Sequence, residues 1–142
     1  MTDVYLIADA MARELNSAEL LPEGVTAYAD PLPEFELEEL ENLQAVFVPV
    51  GSSLEDANRG ERLETAEITL GLMKRISGKQ EIKELAALEQ RIMECFHHLE
   101  FTAGKSECVC RESEIETLFD GEKAKTENCF FGVIRLGVEI YD

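Results

Sequence analysis

Length, composition and charge exclude several classes of protein. The chain has 142 residues, of which 45% are hydrophobic, with 4 prolines and 9 glycines. These values fit a single globular domain over 1–142 that can bury its own core, and they do not fit a fibre or a disordered tail. Because 13 basic residues stand against 30 acidic ones, the formal net charge is −17. Such an acidic surface repels phosphate, which disfavours sequence-specific nucleic-acid binding and docking on anionic membranes.

The first residues and the cysteines bear on the cellular compartment. No stretch approaches about 18 consecutive apolar residues, and Met1-Thr2-Asp3 carries an acid where a secretory signal would carry a base. The sequence therefore predicts a soluble protein made in the cytoplasm. The cysteines are too few and too unevenly spaced for a disulfide framework, so we expect reduced thiols. They are Cys95, Cys108, Cys110 and Cys129.

The start of the chain predicts a helix and a short strand. Apolar residues recur at steps of three and four over residues 4–15, so we expect a helix there, capped by Thr2 or Asp3. After a Pro-Glu-Gly break, apolar and polar residues alternate over 25–29, which is typical of a short strand.

The next segment is acidic and leads into a buried strand. Residues 34–41 fit a turn of helix or an extended acidic segment equally well, and in both cases they should be exposed. The apolar, β-branched run 43–50 predicts a buried strand with Pro49 near its end, where no ladder donor is needed. Residues 51–60 are expected to form a loop.

The second half of the chain alternates between strands and helices. Strict alternation over 62–76 predicts a long strand with one buried face. A helical stripe of apolar residues then predicts a long helix over 80–100. Residues 105–111 predict a strand, 113–119 a loop or short turn, and 128–141 a terminal strand with alternating faces.

The two longest strand patterns predict how the sheet is arranged. A terminal strand over 128–141 needs a long partner, and only 62–76 has the length, so we expect an antiparallel pair that forms a lone long hairpin. The 80–100 helix should cover its apolar face. The expected fold class is α+β, an antiparallel or mixed β-sheet with a long helix and an N-terminal helix packed on one face.

One cluster of side chains has the composition of a metal site. Cys108 and Cys110 lie on the same face of the predicted 105–111 strand. Structural zinc sites normally combine two separated ligand pairs, and neighbouring histidines on a helix diverge by about 100°. We therefore interpret the cysteines as small core residues and expect no metal and no cofactor. The further ligands considered are Cys95, His97, His98 and Cys129.

The chain shows no motif of a known class of catalyst. It has no Gly-x-Ser-x-Gly elbow, no cysteine-protease segment, and no glycine-rich loop of the kinds that bind dinucleotides or phosphates. Pairs of carboxylates occur throughout, but among 30 acids such pairs carry almost no information. We expect a protein that is not an enzyme, with metal-dependent and acid/base chemistry disfavoured.

The most unusual feature is how the charge is distributed. No Lys or Arg occurs between Arg13 and Arg59, while that stretch contains 11 acids. The pattern fits a solvated face, a surface that must not bind DNA, or a surface that meets a basic partner. We take part of this stretch, together with the basic residue Arg59 that ends it, as a candidate interface. Its members are Glu34, Glu36, Glu38, Glu39, Glu41, Glu55, Asp56 and Arg59.

Several segments, taken in chain order, resemble those of small tail-terminator-like proteins of siphophages and prophages, the family of minor tail protein U. The resemblance spans nearly the whole chain and rests on the order of elements and short loose motifs. The motifs are Pro33-Glu34-Phe35-Glu36-Leu37-Glu38-Glu39-Leu40, Val46-Phe47-Val48-Pro49, Asn58-Arg59-Gly60, Gly71-Leu72-Met73-Lys74-Arg75-Ile76 and the terminal 129–141 strand.

The resemblance implies a structural role in a virion. It implies a homo-oligomeric ring, hexameric in the better-known relatives, that caps the tail tube and offers the head–tail connector a docking face. Tail-tube and connector proteins would be its partners, DNA would pass through without specific binding, and assembly would take place in the host cytoplasm. Another neck component and a monomeric acidic adaptor remain alternatives.

Overall fold

The computed structural model describes residues 3–36, 38–56 and 62–141. Within these ranges the chain forms three α-helices, one short 3-10 helix and six β-strands. In chain order the elements are α1 (Val4–Ser17), β1 (Tyr28–Ala29), the 3-10 helix (Glu39–Glu41), β2 (Gln44–Asp56), β3 (Arg62–Arg75), α2 (Lys79–Phe96), β4 (Glu100–Ala103), β5 (Ser106–Thr117), α3 (Gly121–Thr126) and β6 (Cys129–Tyr141).

The six strands form one mixed sheet in the order β1-β2-β3-β6-β5-β4. The pair β1–β2 is parallel and the other neighbours are antiparallel. β3 and β6 pair along their length, from Glu64 opposite Ile140 to Arg75 opposite Cys129. The predicted pairing of 62–76 with 128–141 and the predicted α+β class are thus confirmed.

The core lies on one face of this sheet, under α1 and α2. Phe47, Leu70 and Ile134 occupy matching positions on neighbouring strands and are fully buried. α1 contacts β1, β2 and β4, while α2 packs on β5 and β6. The ring of Phe96 at the end of α2 meets Phe47 edge-on, with centroids 5.7 Å apart. The apolar stripes predicted for both helices therefore form a single core with the alternate residues of the strands.

Side-chain hydrogen bonds explain the ends of the first two elements. The Asp3 carboxylate caps α1 by accepting the Tyr5 N–H at 2.9 Å. Near the end of α1, Asn16 donates to the Ala27 carbonyl and accepts from its N–H. Since both backbone groups of Ala27 are engaged by a side chain, β1 has only two residues of the strand expected over 25–29.

The prediction of a loop over 51–60 is wrong for residues 51–56, the part of it that the structure describes. Residues 51–56 continue β2 and pair with β3, from Gly51 opposite Glu67 to Asp56 opposite Arg62, after a register shift near Pro49. Small polar residues suggested a loop, but the partner strand supplies the ladder bonds that hold them extended. The candidate residue Arg59 lies outside the described residues.

The long helix ends earlier than expected, at Phe96 instead of Glu100. His98 adopts a φ of 60° and donates its N–H to the Cys110 carbonyl at 3.0 Å. Cys110 in turn donates to the Leu99 carbonyl at 2.8 Å. These bonds to a distant segment turn the chain out of the helix and into β4, which the sequence pattern did not predict.

β5 is also longer than expected, because it runs on through 113–117, where a loop or turn was predicted. Its register shifts between Cys110 and Glu112 and again between Ile115 and Thr117. Each shift changes which face of the sheet the residues after it point to. The segment therefore lacks the simple alternation of apolar and polar residues that predicts a strand. α3, which follows β5, was not predicted either.

The edges of the sheet are not where the sequence placed them. β3 and β6 are interior strands rather than a lone hairpin, because β2 and β5 are also long and flank them. The edge strands β1 and β4 are short, with two and four residues. Among the described residues, no helix is long and apolar enough to cross a membrane.

Candidate functional site

The described residues of the acidic segment, 34–36 and 38–41, include an exposed turn that ends in the 3-10 helix. The Glu39 N–H donates to the Glu36 carbonyl at 3.0 Å, and the Glu41 N–H to the Glu38 carbonyl. All five candidate carboxylates of this segment are exposed, as predicted. The Arg75 guanidinium, at the end of β3, lies 3.8 Å from the Glu41 carboxylate, and both side chains are exposed.

A leucine projects from the loop just before this turn. Leu32 is 72% exposed, more than any other large apolar side chain of the described residues. The Asp30 carboxylate accepts the Leu32 N–H at 2.9 Å, while the Asp30 N–H donates to the Phe47 carbonyl at 3.1 Å. Pro31 and Pro33 restrict the backbone on either side. These features restrict the backbone of the loop and leave the leucine side chain exposed to solvent.

The remaining candidate acids lie elsewhere. Glu55 is exposed near the far end of β2, 11 residues from Gln44, which is roughly 36 Å of extended strand. Asp56 follows it at the last position of β2. The acidic stretch that is continuous in sequence thus forms two separate groups, one around 34–41 and one at the end of β2.

A groove rimmed by lysines opens between the start of α2 and α3. Its volume is about 570 Å³. Ile76, Ile82 and Phe119 supply apolar surface, and none of its lining residues is acidic. Sequence reasoning missed this groove, because its lysines come from two helices and meet only in the folded chain. The basic lining residues are Lys79, Lys83 and Lys125.

The sheet face away from the helices carries paired charges. Arg111 donates to the Glu139 carboxylate at 3.0 Å, and Arg135 donates to Glu114 at 2.9 Å. The Tyr141 hydroxyl donates to the same Glu139 carboxylate, and this bond together with Arg111 lowers the pKa of Glu139. Both ion pairs link β5 to β6, and exposed pairs of this kind contribute little to stability.

Glu89 is a buried carboxyl group on the core face of α2. The side chain is fully buried, and neither carboxyl oxygen has a hydrogen-bond partner among the described residues. It sits over Gly132 of β6, where an added Cβ would lie 2.7 Å from Oε2. Burial raises the pKa of Glu89 to about 8. Glu89 lies four residues after Leu85 and three before Ile92, so helical spacing places it on the same buried face. The sequence analysis did not use this signal.

The four cysteines lie in the core or at its margin. Cys108, Cys110 and Cys129 are buried, Cys95 is half-buried, and all four are thiols. Burial raises the pKa of Cys110 to about 12. Across the described residues, no three His, Cys, Asp or Glu side chains are grouped to hold a metal ion.

We expect the thiols of β5 to contribute to stability alone. Replacing Cys108 or Cys110 with serine buries a hydroxyl in an apolar site, which should lower the free energy of unfolding by about 1–3 kcal/mol. Alanine should cost less, because it adds no polar group. Elemental analysis of the purified protein should find no stoichiometric zinc. Zinc that is present and is lost on these substitutions would contradict this interpretation.

No protein-family model and no curated protein sequence matches the chain. Solved structures do share its fold. One, named only by a sequence identifier, matches with a TM-score of 0.59 at 15% identity over 100% of this chain and 98% of its own. A chain from the "virion of native gene transfer agent (GTA) particle" matches with a TM-score of 0.50 at 11% identity over 92% of both chains. At these identities the likeness shows a common fold.

Proposed function

We propose that this chain is a structural protein of a phage or phage-like virion. Its specific role there is that of a tail terminator, a ring of identical subunits that caps the tail tube and joins it to the head connector. The observation that carries the proposal is the fold shared with a chain of a gene transfer agent virion over 92% of both chains. The resemblance of its motifs to tail-terminator-like proteins supports the same role.

The charge of the chain suits this role. A ring through which DNA passes benefits from a wall that does not hold phosphate, and a net charge of −17 provides one. The exposed carboxylates of Glu38, Glu39 and Glu41 form a dense part of that surface. In this proposal DNA is neither a ligand nor a substrate, and the protein partners are the tail-tube protein and the head connector.

Complementation tests the proposal directly. A phage or phage-like element lacking this gene should produce tails of abnormal length that do not join heads, because nothing stops tube polymerisation or offers a docking face. Supplying the wild-type chain should restore joined particles, which electron microscopy would show. Tails of normal length that join heads without this chain would refute the terminator role.

A monomeric adaptor for a basic protein is the alternative that the acidic stretch favours. The two differ in size. Light scattering should give a ring a mass several times the 15.9 kDa of the chain, either in solution or after the chain meets purified tail tubes. An adaptor should remain a monomer under both conditions.

A further inference from the structure

We propose that the Leu32 loop of one subunit docks into the lysine-rimmed groove of a second copy of this chain. The Leu32 loop is residues 30–36, and the groove is the one between the start of α2 and α3. This inference rests on the proposed ring and deepens it, because it names the contact between neighbouring subunits.

The Leu32 loop has the properties of a preformed anchor. Its leucine is 72% exposed, although solvating a large apolar side chain is unfavourable. Two prolines and the hydrogen bonds of Asp30 hold the loop in place without any partner. A loop that is already ordered loses little conformational entropy on binding, so its contact surface contributes more of its energy to affinity.

The groove offers an apolar site for such an anchor. Phe119 is 40% exposed and stacks on the buried Phe130, with ring centroids 6.4 Å apart. Ile76 and Ile82 continue the apolar surface towards α2, and both are half-buried. A leucine seated here would remove apolar surface of both partners from water.

Charge complementarity favours the Leu32 loop of a second copy as the segment that fills the groove. Lys79, Lys83 and Lys125 form no ion pair with any described residue, although the chain contains 30 acids. The Leu32 loop carries exposed Glu34 and Glu36 directly after its leucine. An apolar anchor followed by carboxylates matches an apolar groove rimmed by ammonium groups, and the chain carries both halves.

The two halves do not share a residue, so each subunit can donate its loop to one neighbour and receive a loop from another. A contact between two different surfaces of the same chain is heterologous, and repeated contacts of this kind close into a ring when the rotation permits. The net charge of −17 opposes association at long range. Screening limits that repulsion to about 8 Å at physiological salt, whereas the proposed pairs are in contact.

Complementary charge reversal tests the contact. A groove variant carries Lys79→Glu and Lys83→Glu, and a loop variant carries Glu34→Lys and Glu36→Lys. Each alone should self-associate at least about tenfold more weakly than wild type, because like charges then meet. An equimolar mixture should recover assembly. The acidic groove of the groove variant can accept the basic loop of the loop variant, and the unchanged groove of the loop variant can accept the unchanged loop of the groove variant. Light scattering measures the masses.

Matched controls separate the contact from net charge. Arg91→Glu with Lys105→Glu changes the net charge as the groove variant does, at exposed positions outside the groove, and should leave self-association close to wild type. If the acidic segment only repelled its neighbours across a ring, the loop variant would assemble better than wild type. That result, or a mixture no larger than its separate components, would overturn the proposal.

Cysteine trapping detects the contact even when it is weak in solution. Glu34→Cys in one preparation and Ser77→Cys in another should form a disulfide-linked heterodimer when mixed under mild oxidation, because Ser77 lines the groove. Adding Leu32→Ser to the first preparation should cut the yield several-fold. Replacing the second preparation with Lys105→Cys should give almost no product, since Lys105 lies at the β4–β5 turn.

These outcomes separate the contact from the function. If wild-type rings form but neither trapping nor charge reversal has an effect, the contact is wrong and the terminator role is untouched. If trapping and reversal succeed while tails lacking the chain join heads normally, the contact holds and the terminator role fails. A chain that neither assembles nor traps refutes the contact.

Discussion

Replacing Ile134 with aspartate should prevent the chain from folding. Ile134 is fully buried in the interior strand β6, between Leu70 of β3 and Ile115 of β5. An aspartate there would be a buried charge without a partner, or a neutral acid in a cavity, and either should cost several kcal/mol in a domain whose total stability is about 5–15 kcal/mol. Leu70→Asp should behave in the same way. Circular dichroism and thermal unfolding would show the loss of a cooperative transition.

Glu67→Lys is the matched control for this prediction. Glu67 lies on β3, as Leu70 does, but its side chain is exposed on the opposite face of the sheet. The charge change should alter the free energy of unfolding by no more than about 1 kcal/mol, because the side chain is solvated. If the aspartate variants were soluble and unfolded cooperatively near the wild-type temperature, the assignment of the buried face would be wrong.

A second large effect should be a loss of stability as the pH rises, caused by Glu89. Burial raises the pKa of its carboxyl group from 4.5 to about 8 in the folded chain. Below the lower value both states are protonated, and the full stability is present. Between the two values the unfolded chain releases the proton while the folded chain retains it, so the free energy of unfolding falls by up to about 1.4 kcal/mol per pH unit. Above the upper value the fall levels off.

Variants of Glu89 isolate this effect from the general repulsion within an acidic chain. Glu89→Gln should remove its contribution to the pH dependence, and Glu89→Met should in addition raise stability at pH 8, because it replaces an unpaired buried polar group with an apolar one of similar shape. Glu94→Gln, at an exposed position of the same helix, should retain the wild-type profile. Denaturant unfolding from pH 4 to 9 measures the difference. If wild type and Glu89→Gln show parallel profiles, Glu89 does not titrate in this range.

Local patterns predicted the elements whose faces are buried along their full length. α1, β3, α2 and β6 each carry a regular apolar period, so side-chain spacing alone indicated both the type of element and its inward face. β4, α3 and the second half of β5 were missed. β4 consists of four residues that depend on β5 for their ladder bonds, and the register shifts of β5 remove the alternation that marks a strand.

Composition predicted the candidate interface, but in the folded chain its residues lie in two separate places. The exposure of 34–41 follows from its density of carboxylates, whereas its separation from Glu55 follows from the length of β2. The lysine-rimmed groove has no counterpart in any sequence window, because Lys83 on α2 and Lys125 on α3 are 42 positions apart. Glu89 lies within the apolar stripe of α2, but its residue type does not distinguish it from the other acids of the chain.

Four properties follow from the sequence pattern alone: the fold class, the pairing of β3 with β6, the inward faces of both long helices and the acidic character of the surface. These properties depend on residues close together in the chain, or on totals over it. The strand order, the edge strands, the exposed Leu32 beside its carboxylates, the groove and the burial of Glu89 emerge only when the chain folds. Each of these depends on which distant segments meet, and that is settled by the packing of the whole core rather than by the spacing within any one segment.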